Sequence, residues 1–340
     1  MANPLENTDA IMRFAAAKER EIVADLADVL SSLVDDPAVI RDIKAAMARN
    51  DLAGALRAVP LDKLPKALKS TIAGHIWDTF EKAADLAPLP KAVAASMRFD
   101  VTNPRAVEYI STMTMNAALQ IQQDAVEGVR AIIRRAFVEG MHPYEAAREI
   151  KTLIGLTPNQ VKTIANYSKF LDSMGDRETL VNIGQGAMDR LKRAGVRGVG
   201  SLSLTPEKKQ ELLGKYTARL IKERAIGIAR TLTIEASNAG QNELWRQAED
   251  DGLIDSRLWQ KVWIAAHDER TCPLCGALHG QGRELSGTYP DGTGMPPRHP
   301  NCRCSEGPVK RSDAKELLPF HAQVAAKVAK RIEKPMRVLG

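Results

Sequence analysis

Apolar residues recur at three- and four-residue steps along most of the chain, which is the period of a helix face. Phe14, Ala17, Val23, Leu26, Val29, Leu30 and Leu33 trace one such stripe over residues 9–33. Asp35-Asp36-Pro37 ends it and opens a short helix from Val39 to Ala48, which Asn50 stops. A third piece begins at Asp51, and Pro60 and Pro65 break its pattern. Helix resumes from Leu68 to Leu86, with Ile72, Ile76, Trp77 and Phe80 on one face. Pro88, Pro90 and the pair Asn103-Pro104 mark a hinge.

Residues 105–155 read as strongly helical, with Ile121, Val126, Val129, Ile132, Ile133 and Phe137 in one stripe. The run Gly140 to Pro143 interrupts them. Gly155 ends the segment, and Thr157-Pro158 supplies an N-cap and a first-turn proline for the next helix. Residues 175–205 turn polar and glycine-rich, as a linker does. A short helix over 206–213 and a long one over 218–248 follow, with Arg230 among small and apolar residues of the second. Its expected partner is Asp268 or Glu269. Asp251-Gly252-Leu253 ends that helix. Alternation over 258–265 then predicts a strand, with Leu258, Gln260, Val262 and Ile264 on one face and Trp259, Lys261 and Trp263 on the other. A basic helix over 315–332 closes the pattern, with Phe320, Val324, Val328 and Ile332 as its apolar stripe.

The expected fold is therefore mainly α: a multi-helix body with a small zinc-stapled α+β/loop module near the C-terminus. Four parts are expected: a helical module over 1–104, a helical core over 105–250, a strand and metal module over 251–307, and a basic helix over 308–340. Hydrophobic residues at 44% and charged residues at 26% suit a folded globular chain. Aromatics are only 4%, which favours helices packed through small and aliphatic side chains. The net charge is +6, and residues 308–340 hold eight Lys/Arg against three Asp/Glu, so most of the excess is in the tail. Such a tail can meet DNA, RNA or an acidic protein surface, or simply solvate a helix. The opening residues lack a basic leader followed by an apolar run, and no run approaches the length of a spanning helix, so a reducing compartment is expected.

The most specific chemistry lies between Trp263 and Cys304. All four cysteines are here, as Cys272, Cys275, Cys302 and Cys304, with His267, His279 and His299. Cys272-x-x-Cys275 has the chelate spacing of a zinc knuckle, and His299-x-x-Cys302 supplies a second half-site. A tetrahedral set closes as Cys272, Cys275, His299 and Cys302, with Cys304 a possible substitute for His299 or Cys302. The intervening residues 280–297 hold five glycines and three prolines and have little apolar surface with which to order themselves. A structural zinc contributes on the order of 10 kcal/mol of folding free energy where a core cannot. Disulfides and free thiols are the alternatives, and disulfides need an oxidising compartment.

This stretch resembles the signature of phage Mu F-like minor head proteins, the phage head morphogenesis family. The matching positions are Asp268, Arg270, Thr271, Cys272, Cys275, Leu278, Gly280, Pro296, Pro297, His299, Pro300, Cys302, Arg303 and Cys304, with Trp263 upstream. The family's alanine-rich helix motif corresponds to Ile228-Ala229-Arg230-Thr231 followed by Asn238 and Gly240; Leu232 stands where the family usually has glutamate. The resemblance covers roughly residues 120–305. It implies a minor capsid component of the virion, assembled in the host bacterial cytoplasm. The implied role is in head morphogenesis and DNA packaging or ejection, beside the portal or the major capsid protein, with no membrane partner.

The residues themselves leave alternatives. No nucleophile elbow, phosphate loop or dinucleotide glycine motif is present, which points away from common enzyme classes. A metal-dependent nuclease would draw on His267, Asp268, Glu269 and His279, whereas support of the knuckle is their other use. A non-specific DNA-binding protein would use the tail 308–340 on phosphates.

Overall fold

The computed structural model describes residues 4–32, 36–153, 155–173, 205–265 and 271–312. Helix dominates, and each start carries a local reason. Helix α1 runs Pro4–Ser32. Its buried stripe is Ala15, Ile22, Leu26 and Leu30, while Ala17 faces out, so the expected face is right from Leu26 onward and rotated before it. Helix α2 (Pro37–Ala48) is capped by the Asp36 carboxylate, which accepts from the Ala38 amide at 2.8 Å. Helix α3 (Leu52–Ala58) is capped in the same way by Asp51 on the Gly54 amide at 2.7 Å. Helix α4 (Leu64–Leu86) starts earlier than expected, because Pro65 sits in its first turn, where no intrahelical amide bond is lost. The hinge that follows α4 contains a six-residue helix, α5 (Lys91–Ser96).

Helix α6 (Pro104–Val138) and α7 (Pro143–Leu153) flank the expected break, where Gly140 takes a φ of 63°. Helix α8 (Pro158–Ser173) opens on a reciprocal capping box. The Thr157 hydroxyl accepts from the Gln160 amide at 3.4 Å, and the Gln160 carboxamide accepts from the Thr157 amide at 3.1 Å. The two helices expected over 206–213 and 218–248 are one, α9 (Pro206–Asp250), of 45 residues. Gly214 does not break it, since a glycine inside a helix costs only about 1 kcal/mol relative to alanine. Gly252, at φ 70°, terminates α9 where expected. The expected linker over 175–205 and basic helix over 315–332 lie outside the described residues, apart from Thr205.

The strand β1 (Trp259–Ile264) is the centre of a three-stranded antiparallel sheet in the order β2-β1-β3. Strand β2 is Gly282–Arg283 and β3 is Ser305–Lys310. Register pairs Lys261 with Pro308 and Trp263 with Glu306 on one side, and Val262 with Gly282 on the other. Strand β3 carries Gly307-Pro308, two residue types that weaken a strand pattern. Pro308 is tolerated because β3 is an edge strand, where a missing N–H breaks no second ladder.

Two compact units divide the chain. One comprises Asp25–Lys69 and Asn116–Ala225, and its described secondary structure is all helical. Here Arg135 pairs with Glu149, Arg224 pairs with Asp124, and the rings of Tyr167 and Tyr216 lie 4.4 Å apart. The other comprises Met1–Ala24, Ser70–Met115 and Ile226–Gly340, and contains the sheet. One of its cores gathers Ala84, Met97, Leu244, Trp245, Ala248, Ile254, Trp259 and Leu285.

In this second unit α4 and α9 approach so closely that a Cβ on Gly240 would lie 2.0 Å from the Phe80 carbonyl oxygen. Gly74, also in α4, faces open space. Gly240→Ala is therefore expected to lower stability by about 1–3 kcal/mol. Gly74→Ala should raise it by roughly 0.5–1 kcal/mol. Urea denaturation of both variants checks the pair, and equal effects would contradict the close contact.

Candidate metal centre

The turn that carries the first two thiols is built by local chemistry. Cys272 is the N-cap of the short helix α10 (Pro273–Leu278), with Pro273 at its first position. Its sulfur accepts from the Cys275 amide at 3.3 Å, which turns both Sγ atoms to one side. Beyond α10, Gly280 donates to the Trp263 carbonyl at 2.9 Å and Trp263 donates to the Gln281 carbonyl at 3.1 Å, so the turn is fastened to β1. The second half-site is a turn in which the Cys302 amide donates to the His299 carbonyl at 3.1 Å. Asn301 occupies the left-handed region there, with φ 61°.

These turns bring the five predicted donors together. Cys272, Cys275 and His299 form one group, and Cys275, Cys302 and Cys304 a second, with all donor atoms in each within 4.8 Å of one another. Cys275 belongs to both. The His299 Nε2 lies 3.2 Å from the sulfurs of Cys272 and Cys275. The sulfurs of Cys275 and Cys302 are 3.8 Å apart. A tetrahedral zinc with Zn–S bonds of about 2.3 Å and a Zn–N bond near 2.0 Å sets S···S at about 3.8 Å and S···N at about 3.5 Å. Each group of three could hold a zinc-sized ion, but the expected set of Cys272, Cys275, His299 and Cys302 does not close as one group, since it is divided between the two. The imidazole is also oriented as a ligand. Its Nδ1 lies 2.9 Å from the Pro300 carbonyl, so the proton belongs on Nδ1 and the Nε2 lone pair faces the thiols.

Electrostatics point the same way. Hydrogen bonds from Cys275 and Cys304 hold the Cys302 thiol far below its ordinary range. The neighbouring Cys302 and Cys304 push Cys275 far above its own. Sulfurs this close cannot all be thiolates unless a cation sits among them. Around them pack Trp263, Ala265, Leu278 and Tyr289, with Trp263 and Tyr289 edge to face at 5.0 Å.

His279 has a different place. Its Nδ1 accepts from the Ala265 amide at 3.0 Å, so the ring braces the end of β1. His267, Asp268 and Glu269 lie outside the described residues. Arg230 pairs with Glu19 of α1, through Nε at 3.0 Å and Nη2 at 2.9 Å, a partner that a sequence search confined to the Cys module overlooks.

The alanine-rich helix motif acts as the seat of this module. The Thr231 hydroxyl accepts from the Asn301 amide at 3.1 Å. Asn238 is fully buried: its carboxamide oxygen accepts from the Glu306 amide at 3.0 Å, and its nitrogen donates to the Ile234 carbonyl at 2.8 Å and to the Cys304 carbonyl at 3.4 Å. Asn242 donates to the Glu306 carboxylate at 2.8 Å, and the Tyr289 hydroxyl reaches it at 3.2 Å. Lys261 stands 3.7 Å from the same carboxylate, and both side chains are buried. Burial raises the pKa of Glu306 and lowers that of Lys261, in each case against their mutual attraction. Sequence reasoning missed this network; the signal was a lysine between two tryptophans of a strand.

Residues 187–306 match the profile described as Phage Mu protein F like protein. The chain carries a phage Mu F-like domain. The match spans all of α9, β1 and β2, the first two residues of β3 and all five donors. Residues 1–186 lie outside it. No curated protein and no solved structure matches the chain.

The Phage Mu F-like domain thus rests its sheet on Asn238. Asn238→Ala leaves the buried Glu306 amide without its acceptor and should lower stability by about 1–3 kcal/mol. A loss below a few tenths of a kcal/mol in chemical denaturation would show that the contact is incidental.

Proposed function

We propose that this protein is a minor head protein of a phage, acting in head morphogenesis and in DNA packaging or ejection, beside the portal or the inner face of the capsid. The family match over 187–306 carries this reading. The basic tail 308–340 is the candidate contact with packaged DNA or with the major capsid protein. Co-sedimentation with assembled heads tests it. A fixed low ratio to the portal subunit is expected, and absence from both procapsids and finished particles would overturn it.

Within that role, Cys272, Cys275, His299 and Cys302 hold a structural Zn2+, and Cys304 stands beside them as the fifth donor. The metal, when bound, neutralises the thiolates and ties the two ends of the 280–297 loop together. The chain's own part is orientation: the Cys275 amide aims the Cys272 sulfur, and the Pro300 carbonyl aims His299. Cys272→Ser and Cys302→Ser should each lose zinc and make residues 250–305 protease-sensitive, as read by elemental analysis and limited proteolysis. Stoichiometric zinc in both variants would refute the ligand set.

Protons compete with the metal for these donors. Burial disfavours the His299 cation, but the Pro300 carbonyl and the sulfurs of Cys302 and Cys272 outweigh it and raise the pKa above 6.5. In the metal-free protein this raised pKa contributes stability that is present below 6.5 and lost as pH rises through the folded value. Zinc needs the neutral ring, so its stabilisation runs the other way. The gap in melting temperature between zinc-loaded and chelated protein should close as pH falls from mildly alkaline to mildly acidic. A gap independent of pH would contradict ligation by His299 and thiolates.

A further inference from the structure

A cavity of about 420 Å³ lies in the sheet-bearing unit, apart from the thiol cluster. Small-molecule sites are commonly about 300–1,000 Å³. Phe80, Ala239 and Leu285 give it apolar walls, and Arg105, Arg246 and Lys261 bring three cations to it. Those cations are not equally committed. Arg105 donates from Nε to both oxygens of Glu243, at 2.8 and 3.1 Å, and from Nη2 to Asp250 at 2.9 Å. Lys261 donates to the Gly294 carbonyl at 2.5 Å and faces Glu306 at 3.7 Å, which leaves one of its three donors. Arg246 is half-buried and makes no hydrogen bond or ion pair among the described residues. It lies near enough to Lys261 that, after burial, its charge further lowers the lysine pKa.

A guanidinium fork without a partner, next to a second cation in a walled cavity, is the arrangement that takes up a planar or tetrahedral oxyanion. We infer that this cavity binds a small phosphate- or carboxylate-bearing ligand, held by the Arg246 guanidinium and the remaining donor of Lys261. Glu108 also lines the cavity, from an exposed position on α6, and has no ion pair among the described residues. Its charge opposes the anion and so sets a limit on ligand charge. The Ser286–Gly287 and Gly294–Met295 segments of the Cys-module loop complete the wall, so the loop ordered by the metal centre also shapes this second site.

Titration calorimetry of the full chain with sodium phosphate and, separately, sodium succinate, at ionic strength matched with sodium chloride, tests this. At least one should bind with unit stoichiometry; phosphate alone would assign a phosphate ligand, and succinate a carboxylate. Arg246→Gln should weaken binding at least about tenfold, the effect of losing a charge-assisted hydrogen bond. Glu108→Gln should tighten it. Arg257→Gln, at a side chain 87% exposed and outside the cavity lining, should leave it unchanged. Unaltered circular dichroism of Arg246→Gln would exclude unfolding as the cause, and Glu108→Gln reads the site without removing any contact seen in the fold. Binding no stronger than chloride in the wild-type protein, or equal binding by Arg246→Gln, would overturn the inference.

Discussion

Four thiols and one imidazole gather in two groups of three that share Cys275, each with its donor atoms within 4.8 Å of one another, and the C-terminal module depends on that crowding. As anions the sulfurs would repel, and as neutral thiols they are weak hydrogen-bond groups that return little for being buried. Cys275 stands at the centre of the conflict, in contact with His299 on one side and Cys302 on the other. A cation of zinc size would resolve it and would fasten the two ends of the glycine- and proline-rich loop, whose middle is pinned by Tyr289 on Glu306 and by Gly294 on Lys261.

The module in turn needs a polar seat. Helix α9 buries Asn238, Gln241, Glu243 and Gln247, residues that a helix packed only on apolar neighbours would not place inside. Most of their hydrogen bonds leave the helix. Asn238 serves β3, Glu243 holds Arg105, and Gln247 exchanges two bonds of 2.9 Å with the Asp100 backbone. Gly240 clears the way for α4. In the helix motif, Arg230, Thr231, Asn238 and Gly240 thus each answer a specific group: Glu19, the Asn301 amide, the Glu306 amide and the Phe80 carbonyl.

Much of the helical body was legible in the sequence, because the apolar period and the caps act locally. Thr157-Pro158 and Asp251-Gly252 mark boundaries that the fold keeps. The clustering of the candidate donors was legible for the same reason, since chelate spacing is a short-range property. What escaped is long-range. The partner of Arg230 is Glu19, more than two hundred residues away, and nothing nearby in sequence announces it. Strand β3 hides behind Gly307-Pro308, and only its pairing with β1 makes it a strand. The merging of 206–213 with 218–248 reflects how little one glycine disturbs a helix.

X-ray absorption at the zinc edge, on the full chain purified without added metal, tests the central claim most directly. The account predicts one zinc per chain with three sulfur neighbours at about 2.3 Å and one nitrogen near 2.0 Å. A shell of four sulfurs would remove His299 from the centre in favour of Cys304. Protein that folds to the same sheet with no metal at all would contradict the account.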